Sequence, residues 1–161
     1  MLSGFDPSEI IQYYIFFENH KDSSGKLTKE TFLELRCVAI NPLKDRIADC
    51  FGYDTLPSLD FDSFLIGASL FNSIGSREQK FKTAFRLHDF DEDGVISRQD
   101  LSTYVSRITA KALAADELQE MVNQVFIECS SDPKLELISF ADFKIMISPT
   151  DFHTKLQLPI L

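Results

Sequence analysis

The stretch from residue 89 to residue 100 reads DFDEDGVISRQD. Carboxylates stand at its first, third and fifth positions, a glycine at its sixth and an aliphatic residue at its eighth. Alternating carboxylates converge on one cation when the chain curls around it, and the glycine permits the sharp turn that this curl needs. The spacing therefore predicts a loop that binds a divalent cation through oxygen atoms. The predicted ligands are Asp89, Asp91, Asp93, Val95 through its backbone carbonyl, Ser97 directly or through water, and Asp100.

The residues on both sides of this loop have the spacing of amphipathic helices. KFKTAFRLH before the loop and DLSTYVSRI after it place apolar side chains three and four positions apart. A helix, a metal loop and a second helix form an EF-hand. Because EF-hands occur in pairs, the rest of the chain is expected to contain further copies.

Asp100 departs from the usual EF-hand pattern, in which a glutamate at the twelfth position binds calcium through both carboxylate oxygens. Aspartate is one methylene shorter, so we expect it to reach the ion with one oxygen only. The lower coordination number favours the near-octahedral geometry of magnesium. The sequence thus predicts one site that accepts Ca2+ or Mg2+ and switches weakly with calcium.

Three other segments keep the apolar positions of this unit but have lost its ligands. Where a carboxylate would close the loop, the first segment has Thr31 and the second has Ser63, while the fourth keeps Asp142 but lacks the ligands before it. In all four segments an aliphatic residue holds the eighth position, and an apolar residue follows five positions later. The aliphatic residues are Leu27, Leu59, Ile96 and Ile138, and those that follow are Phe32, Phe64, Leu101 and Phe143.

Four such units in order predict an all-α, two-lobed four-EF-hand architecture with short paired strands in the loops. Helices are expected near residues 7–19, 29–38, 42–51, 60–72, 77–88, 98–110, 116–129 and 140–148. The joint is expected at 72–76, which contains Gly75. The predicted domains are an N-terminal lobe over 1–73 with both loops degenerate, a C-terminal lobe over 74–148 with its first loop metal-competent and its second degenerate, and a tail over 149–161.

Composition excludes several classes of function. The chain has 25 acidic and 16 basic residues, and its net charge of −9 repels nucleic acid but suits cation binding. No apolar run approaches the ~18 residues of a membrane helix, and the start lacks the features of a signal peptide. We therefore expect a cytoplasmic protein without direct membrane insertion. The histidines are scattered and no nucleophile has an evident base beside it, so we expect no catalytic residues and no enzymatic activity.

Three stretches resemble the calcineurin B superfamily and, within it, the calcium- and integrin-binding protein family. NPLKDRI at 41–47 looks like the opening of that family's third helix, and AFRLHDFDEDGVISRQDL at 84–101 looks like its third EF-hand, including the aspartate at the twelfth position. SPTDFHTKLQL at 148–158 is similar to its ending. The resemblance implies a calmodulin/calcineurin B-like regulatory protein. Family members often carry a myristoylated glycine after the initiator methionine, whereas this sequence has Leu2 there.

We expect the function to come from exposed apolar surface, because paired EF-hands present a groove that receives an amphipathic helix. The chain has 15 phenylalanines against 3 methionines, and IIQYYIFF at 10–17 is apolar almost all round. The resemblance implies a tail that lies in the groove until a partner displaces it; the alternative is that the tail seals the second lobe and the aromatic residues are core. The residues predicted to contact the partner are Ile11, Tyr14, Ile15, Phe64, Phe71, Phe152 and Leu156.

The leading interpretation is a regulatory adaptor that binds Ca2+ or Mg2+ in its third loop and holds an amphipathic helix of a receptor tail, channel or kinase. Such a partner includes the cytoplasmic segment of a membrane protein, which would recruit the adaptor to the membrane. Two alternatives stay open. One is a calcineurin B-like regulatory component of a phosphatase or kinase, and the other is a permanent structural component of a larger complex.

Overall fold

The computed structural model describes residues 5–71, 76–129 and 136–147. The chain divides into two units, and the division falls between Lys80 and Phe81. Each unit contains two of the helix–loop–helix repeats that the sequence predicts.

Two sequence predictions lie on residues that are not described. The predicted joint at 72–76 falls there except for its last residue, and so does the whole predicted tail at 149–161. The predicted partner contacts Phe152 and Leu156 belong to that tail and therefore lie outside the described residues.

The first unit pairs its two loops through a short antiparallel sheet. Its described helices are α1 (Pro7–His20), α2 (Lys29–Glu34), α3 (Arg36–Ala39), α4 (Lys44–Ala48) and α5 (Phe61–Leu70), with a π-helical turn over Asp49–Tyr53. Its strands are β1 (Leu27–Thr28) and β2 (Ser58–Leu59), in which Leu27 lies opposite Leu59. Helix α1 begins after Asp6, whose carboxylate accepts hydrogen bonds from the N–H groups of Ser8 and Glu9.

Two helices of this unit differ from their prediction. The helix expected over 29–38 is interrupted at Leu35, which leaves the helical conformation (φ −55°, ψ 129°) and is buried. The helix expected over 42–51 starts only at Lys44 and runs into the π-helical turn, where Gly52 has φ +108°. That φ lies in the left-handed region, which glycine enters at little cost. The turn therefore depends on a residue type and not on helical periodicity.

Aromatic side chains fill the core of the first unit. The ring of Phe64 is fully buried, and Phe71 stacks on Phe51 with 5.6 Å between ring centroids. Phe51 also packs on Gly67, where an added Cβ would lie 2.3 Å from its ring, so this contact requires glycine. The rings whose centroids lie 5.7 to 6.3 Å from that of Phe64 are Tyr13, Phe16, Phe17 and Phe51.

This core corrects part of the predicted partner surface. The sequence assigned Phe64 and Phe71 to that surface, but they are 0% and 4% exposed in the structure. Both rings are enclosed by other aromatic residues and offer no face to a partner. They are core residues, and their burial stabilises the first unit through apolar area removed from water.

The second unit repeats the arrangement. Its described helices are α6 (Arg77–His88, which begins before the division), α7 (Arg98–Ile108), α8 (Ala115–Cys129) and α9 (Phe140–Met146). Its strands are β3 (Val95–Ser97) and β4 (Leu137–Ser139), which pair antiparallel with Ile96 opposite Ile138. Phe126 and Phe143 are the largest fully buried side chains of its core, which also contains Val122.

The four aliphatic residues that the repeat placed at eighth positions all lie in the paired strands. Each is at most 2% exposed, and they face each other in the predicted pairs. The all-α EF-hand fold with short paired loop strands is therefore confirmed. Within the described residues, every helix is too short or too polar to cross a lipid bilayer.

Candidate metal centre and partner surface

The loop between α6 and α7 brings three predicted ligands together. Side-chain oxygens of Asp89, Asp91 and Asp93 all lie within 4.8 Å of one another. The turn that gathers them uses Gly94, whose φ is +90°, a conformation that L side chains rarely adopt. The convergence of three carboxylates is what the alternating spacing predicted.

Backbone N–H groups hold these carboxylates in place. Asp93 and Gly94 donate from their N–H groups to the two oxygens of Asp89 at 3.2 and 3.0 Å. The N–H of Val95 donates to Oδ1 of Asp93 at 3.0 Å. Because the first carboxylate is fixed by the backbone that follows it, the loop is shaped by its own hydrogen bonds.

Burial and charge repulsion make the first carboxylate unfavourable without a cation. Asp89 is 5% exposed, and burial raises the pKa of this carboxyl group above its ordinary value. The N–H of Gly94 opposes that shift, whereas the charges of Asp93 and Asp100 add to it. A bound cation would offset both the burial and the repulsion.

Asp100 lies apart from the three clustered carboxylates. Its Oδ2 accepts hydrogen bonds from the N–H and hydroxyl of Ser97, and its Oδ1 accepts one from the N–H of Phe90 at 3.0 Å. Ser97 in turn caps α7, because its hydroxyl accepts from the N–H of Asp100. The structure thus places Ser97 in a helix cap, and Asp100 at both the cap and the start of the loop.

The donor set fits a hard divalent cation. Carboxylate and carbonyl oxygens are the ligands that Ca2+ and Mg2+ take, and no softer donor lies in the cluster of Asp89, Asp91 and Asp93. These three residues, with the carbonyl of Val95 and one oxygen of Asp100, would hold the ion. When bound, the ion supplies the positive charge that the buried carboxylates lack.

The first loop has the same turn without the ligands. Gly25 has φ +82°, and Oδ1 of Asp22 accepts hydrogen bonds from the N–H and hydroxyl of Ser24 and from the N–H of Lys26, at 2.6 to 3.0 Å. At its end, Thr28 caps α2 by accepting from the N–H of Thr31. Internal hydrogen bonds therefore give this loop its shape.

The second and fourth loops also end in helix caps. Asp60 accepts from the N–H of Ser63 at the start of α5, and Ser139 and Asp142 form a reciprocal capping box at the start of α9. The earlier part of the fourth loop, residues 130–135, lies outside the described residues.

Arg98 is a residue at the metal loop that the sequence reasoning missed. Its guanidinium donates to Oδ1 of Asn123, lies 5.1 Å from the ring centroid of Phe126, and its Nε is 3.0 Å from Oε2 of Glu136. This one side chain links the end of the third loop to α8 and to the fourth loop. A basic residue at the tenth loop position was the available signal, but its partners are distant in sequence.

His88, which directly precedes the loop, is a packing residue. Its ring stacks on Tyr104 with 3.9 Å between centroids and meets Phe143 edge-on at 5.4 Å. Its Nδ1 lies 2.7 Å from the carbonyl oxygen of Ala84, and burial lowers the pKa of the imidazole. These contacts favour a neutral ring that closes the core beneath the loop.

The predicted partner residues on α1 are exposed. Ile11, Tyr14 and Ile15 are 59%, 48% and 55% exposed, and helical spacing places them away from the face that buries Tyr13 and Phe17. Helix α1 is therefore apolar on both faces, and only one of them is covered by its own unit.

The first unit also contains an open cleft of about 600 Å³. Its apolar lining includes Ile40, which is 81% exposed. The lining residues are Phe16, His20, Thr31, Glu34, Leu35, Arg36, Cys37 and Ile40.

Known proteins resemble the chain along almost its full length, although no protein-family model matches it. The regulatory calcineurin B protein of Candida glabrata is 34% identical over 157 residues, which cover 97% of this chain and 89% of the relative. Human calcineurin B of type 2 is 34% identical over 159 residues, covering 98% and 93%. Calcineurin B of Naegleria gruberi is 31% identical over 157 residues, covering 97% and 88%.

The fold and the metal loop define a two-lobed EF-hand protein. These relatives make the assignment specific: the chain belongs to the calcineurin B family. It is thus a calcium-binding, regulatory EF-hand protein and not an enzyme, as the sequence predicted. The narrower resemblance to the calcium- and integrin-binding proteins does not follow from these relatives.

Proposed function

We propose that the chain is the regulatory subunit of a phosphatase or kinase complex and holds an amphipathic helix of the catalytic subunit. The relatives are named as subunits of calcineurin, which favours this alternative over an adaptor for a receptor tail or channel. The observation that carries the proposal is the open apolar cleft of the first unit.

The lining of the cleft suits the apolar face of a helix. Phe16, Leu35 and Ile40 provide apolar surface, and the exposed Glu34 and Arg36 stand at its border as partners for polar groups. A cavity of about 600 Å³ has the size of a binding pocket and can enclose several side chains of a helix. Covering Ile40 would remove exposed apolar area from water and stabilise the complex.

The metal loop has a supporting role in this proposal. One Ca2+ or Mg2+ ion, held by Asp89, Asp91, Asp93, the Val95 carbonyl and Asp100, would neutralise the carboxylates and order the second unit. Ser97 would act on the ion through its hydrogen bond to Asp100. A single site in this loop agrees with the loss of ligands in the other three.

A second candidate is the membrane-recruited adaptor. The exposed face of α1 favours it, because Ile11, Tyr14 and Ile15 form a second apolar surface outside the cleft. Asp100 and the tail also keep the resemblance to the calcium- and integrin-binding proteins. In either case we place the chain in the cytoplasm, at a membrane only through its partner.

Affinity purification of the tagged chain from its source cells tests the proposal. We expect recovery of the catalytic subunit of a phosphatase or kinase, and its loss in an Ile40→Asp variant. Leu56→Asp is the matched control, because Leu56 is an exposed residue of the first unit that does not line the cleft. Equal recovery with both variants would contradict the cleft, and recovery of a receptor or channel tail instead would favour the adaptor.

A calcium titration with a hydrophobic dye separates the regulatory protein from a permanent structural component. A protein that reads a calcium signal changes dye fluorescence at micromolar calcium, whereas a structural component does not.

A further inference from the structure

Asp100 joins the two ends of the third loop by hydrogen bonds. It is 3% exposed, its Oδ1 accepts from the N–H of Phe90 at 3.0 Å, and its Oδ2 accepts from the N–H and the hydroxyl of Ser97 at 2.9 and 2.5 Å. Phe90 is the second residue of the loop and Asp100 is the last. One side chain therefore connects the end of α6 to the start of α7.

We propose that Asp100 is a latch that closes the third loop before any metal binds. Hydrogen bonds to an ionised carboxylate are shorter and stronger than neutral ones, and burial keeps water from competing for them. In a loop that depends on its ion, the metal supplies the contact between the two ends. Here the carboxylate supplies that contact, and the loop is ordered in its binding shape beforehand.

The first loop shows what the twelfth position does without a latch. Its last residue is Thr31, whose described hydrogen bonds go to Thr28 within the capping turn. Both loops therefore have a capped exit helix, but in the third loop the closing residue also reaches back ten positions to Phe90. The difference depends on the carboxylate, because only its second oxygen remains available beyond the cap.

The latch also limits how Asp100 binds an ion, and this part rests on the proposed metal site. A carboxylate offers about four acceptor directions, and three are used by Phe90 and Ser97. The remaining direction lies on Oδ1. Asp100 thus binds through one oxygen while the latch stays closed, which lowers the coordination number towards the value that suits Mg2+. The site stabilises a shape that already exists and gives little conformational signal.

The test measures amide hydrogen exchange by NMR in the full chain with all metal removed by a chelator. We expect the Phe90 amide of the wild type to exchange at least about tenfold more slowly than in Asp100→Ala, since one charge-assisted hydrogen bond is lost. Asp142→Ala is the matched control: it removes the equivalent Ser139 capping box of α9 and should leave Phe90 near the wild-type rate. Equal Phe90 rates in the wild type and Asp100→Ala would overturn the latch, and so would equal acceleration by Asp142→Ala.

Asp100→Asn keeps the test valid if the alanine variant does not fold. Its side-chain oxygen still accepts from Phe90, so the amide should exchange closer to the wild-type rate than to the rate of the unprotected Asp91 amide. Exchange of Phe90 at the Asp91 rate in the metal-free wild type would also refute the latch. Because these rates are measured without metal, they are independent of the proposed ion site, which calorimetric titration with Ca2+ and Mg2+ tests separately.

Discussion

The two units are built from the same repeat but are stabilised in different ways. The first has a core of stacked and edge-on aromatic rings around Phe64, and the loop that ends at Thr31 is shaped by hydrogen bonds of Asp22. The second has fewer rings in its core and a loop that gathers three carboxylates around the buried Asp89. Stability is therefore independent of metal in the first unit and responsive to metal in the second.

The comparison of the first and third loops separates fold from ligand binding. Gly25 and Gly94 have nearly the same positive φ, and the strands that follow both pair through aliphatic residues. Losing the carboxylates did not change this backbone, because strand pairing and helix caps suffice to maintain it. What distinguishes a metal loop from a relic is the side chains at the first, third, fifth and twelfth positions.

The largest expected effect concerns the aromatic core. Phe64→Ala should lower the free energy of unfolding of the first unit by about 3–5 kcal/mol, since a large buried ring leaves a cavity. The loss should be the same with and without Ca2+, as measured by urea unfolding. The control Ile15→Ala, at an exposed site, should change stability by less than ~0.5 kcal/mol. A metal-dependent loss at Phe64 would break the comparison between the units.

Metal addition should have the next largest effect and should be confined to the second unit. Ion at about 100 times its dissociation constant adds about 2.7 kcal/mol to the free energy of unfolding when only the folded state binds. Residue-resolved hydrogen exchange would separate the units. Asp91→Ala, at an exposed ligand, should abolish the gain, whereas Asp22→Ala in the first loop should not. A gain that persists in Asp91→Ala would exclude the three-carboxylate site.

Lengthening the last ligand should sharpen the contrast between the loops. Asp100→Glu should raise calcium affinity about tenfold, or ~1.4 kcal/mol, and shift preference from Mg2+ to Ca2+, because glutamate can bind through both oxygens. Calorimetry with each ion gives the result. Asp142→Glu in the fourth loop is the control and should leave both affinities unchanged. Unchanged affinities in Asp100→Glu would contradict the role given to side-chain length.

The smallest expected effect is a pH dependence of opposite sign in the two loops. Burial raises the pKa of Asp89, so its contribution to metal-free stability is fully present below the ordinary value of 3.8 and is lost as the pH rises through the raised pKa. The hydrogen bond from Ser24 lowers the pKa of Asp22, so its contribution is present above 3.8 and is lost as the pH falls through the lowered pKa.

Carboxyl NMR titration of the metal-free protein measures both pKa values. Asp89 should titrate above Asp22, and added metal should reverse that order by stabilising the charged form of Asp89. The reverse order without metal would show that hydrogen bonds outweigh burial at Asp89.

Much of the fold was predictable because it follows from local spacing. Helix α6 was predicted with its observed bounds, and the paired strands were predicted from the recurring aliphatic positions. The interruption at Leu35 and the π-helical turn before Gly52 were not predicted. Both occur where the chain leaves the helix within core-packed segments: Leu35 is buried, and Phe51 rests on Gly67, a contact between residues distant in sequence.

The candidate site divides in the same way. The spacing of alternate residues predicted Asp89, Asp91 and Asp93, and the structure brings them together. The exposure of Ile11 also agrees with its assignment to a surface, but the same reasoning misplaced Phe64, because an apolar residue on a helix has no mark that says which surface covers it. The role of Arg98 was missed for a related reason, since its partners lie on another helix and another loop.

The sequence by itself determined the repeat, the turn at Gly94 and the one set of carboxylates with the spacing of a metal loop. These depend on residue type and on separations of a few positions, which chain geometry converts directly into local structure. Only the tertiary structure decided that Phe64 and Phe71 are core, and that Asp100 reaches back to Phe90. Such contacts depend on how distant segments pack, and packing combines many weak interactions that no single stretch of the chain contains.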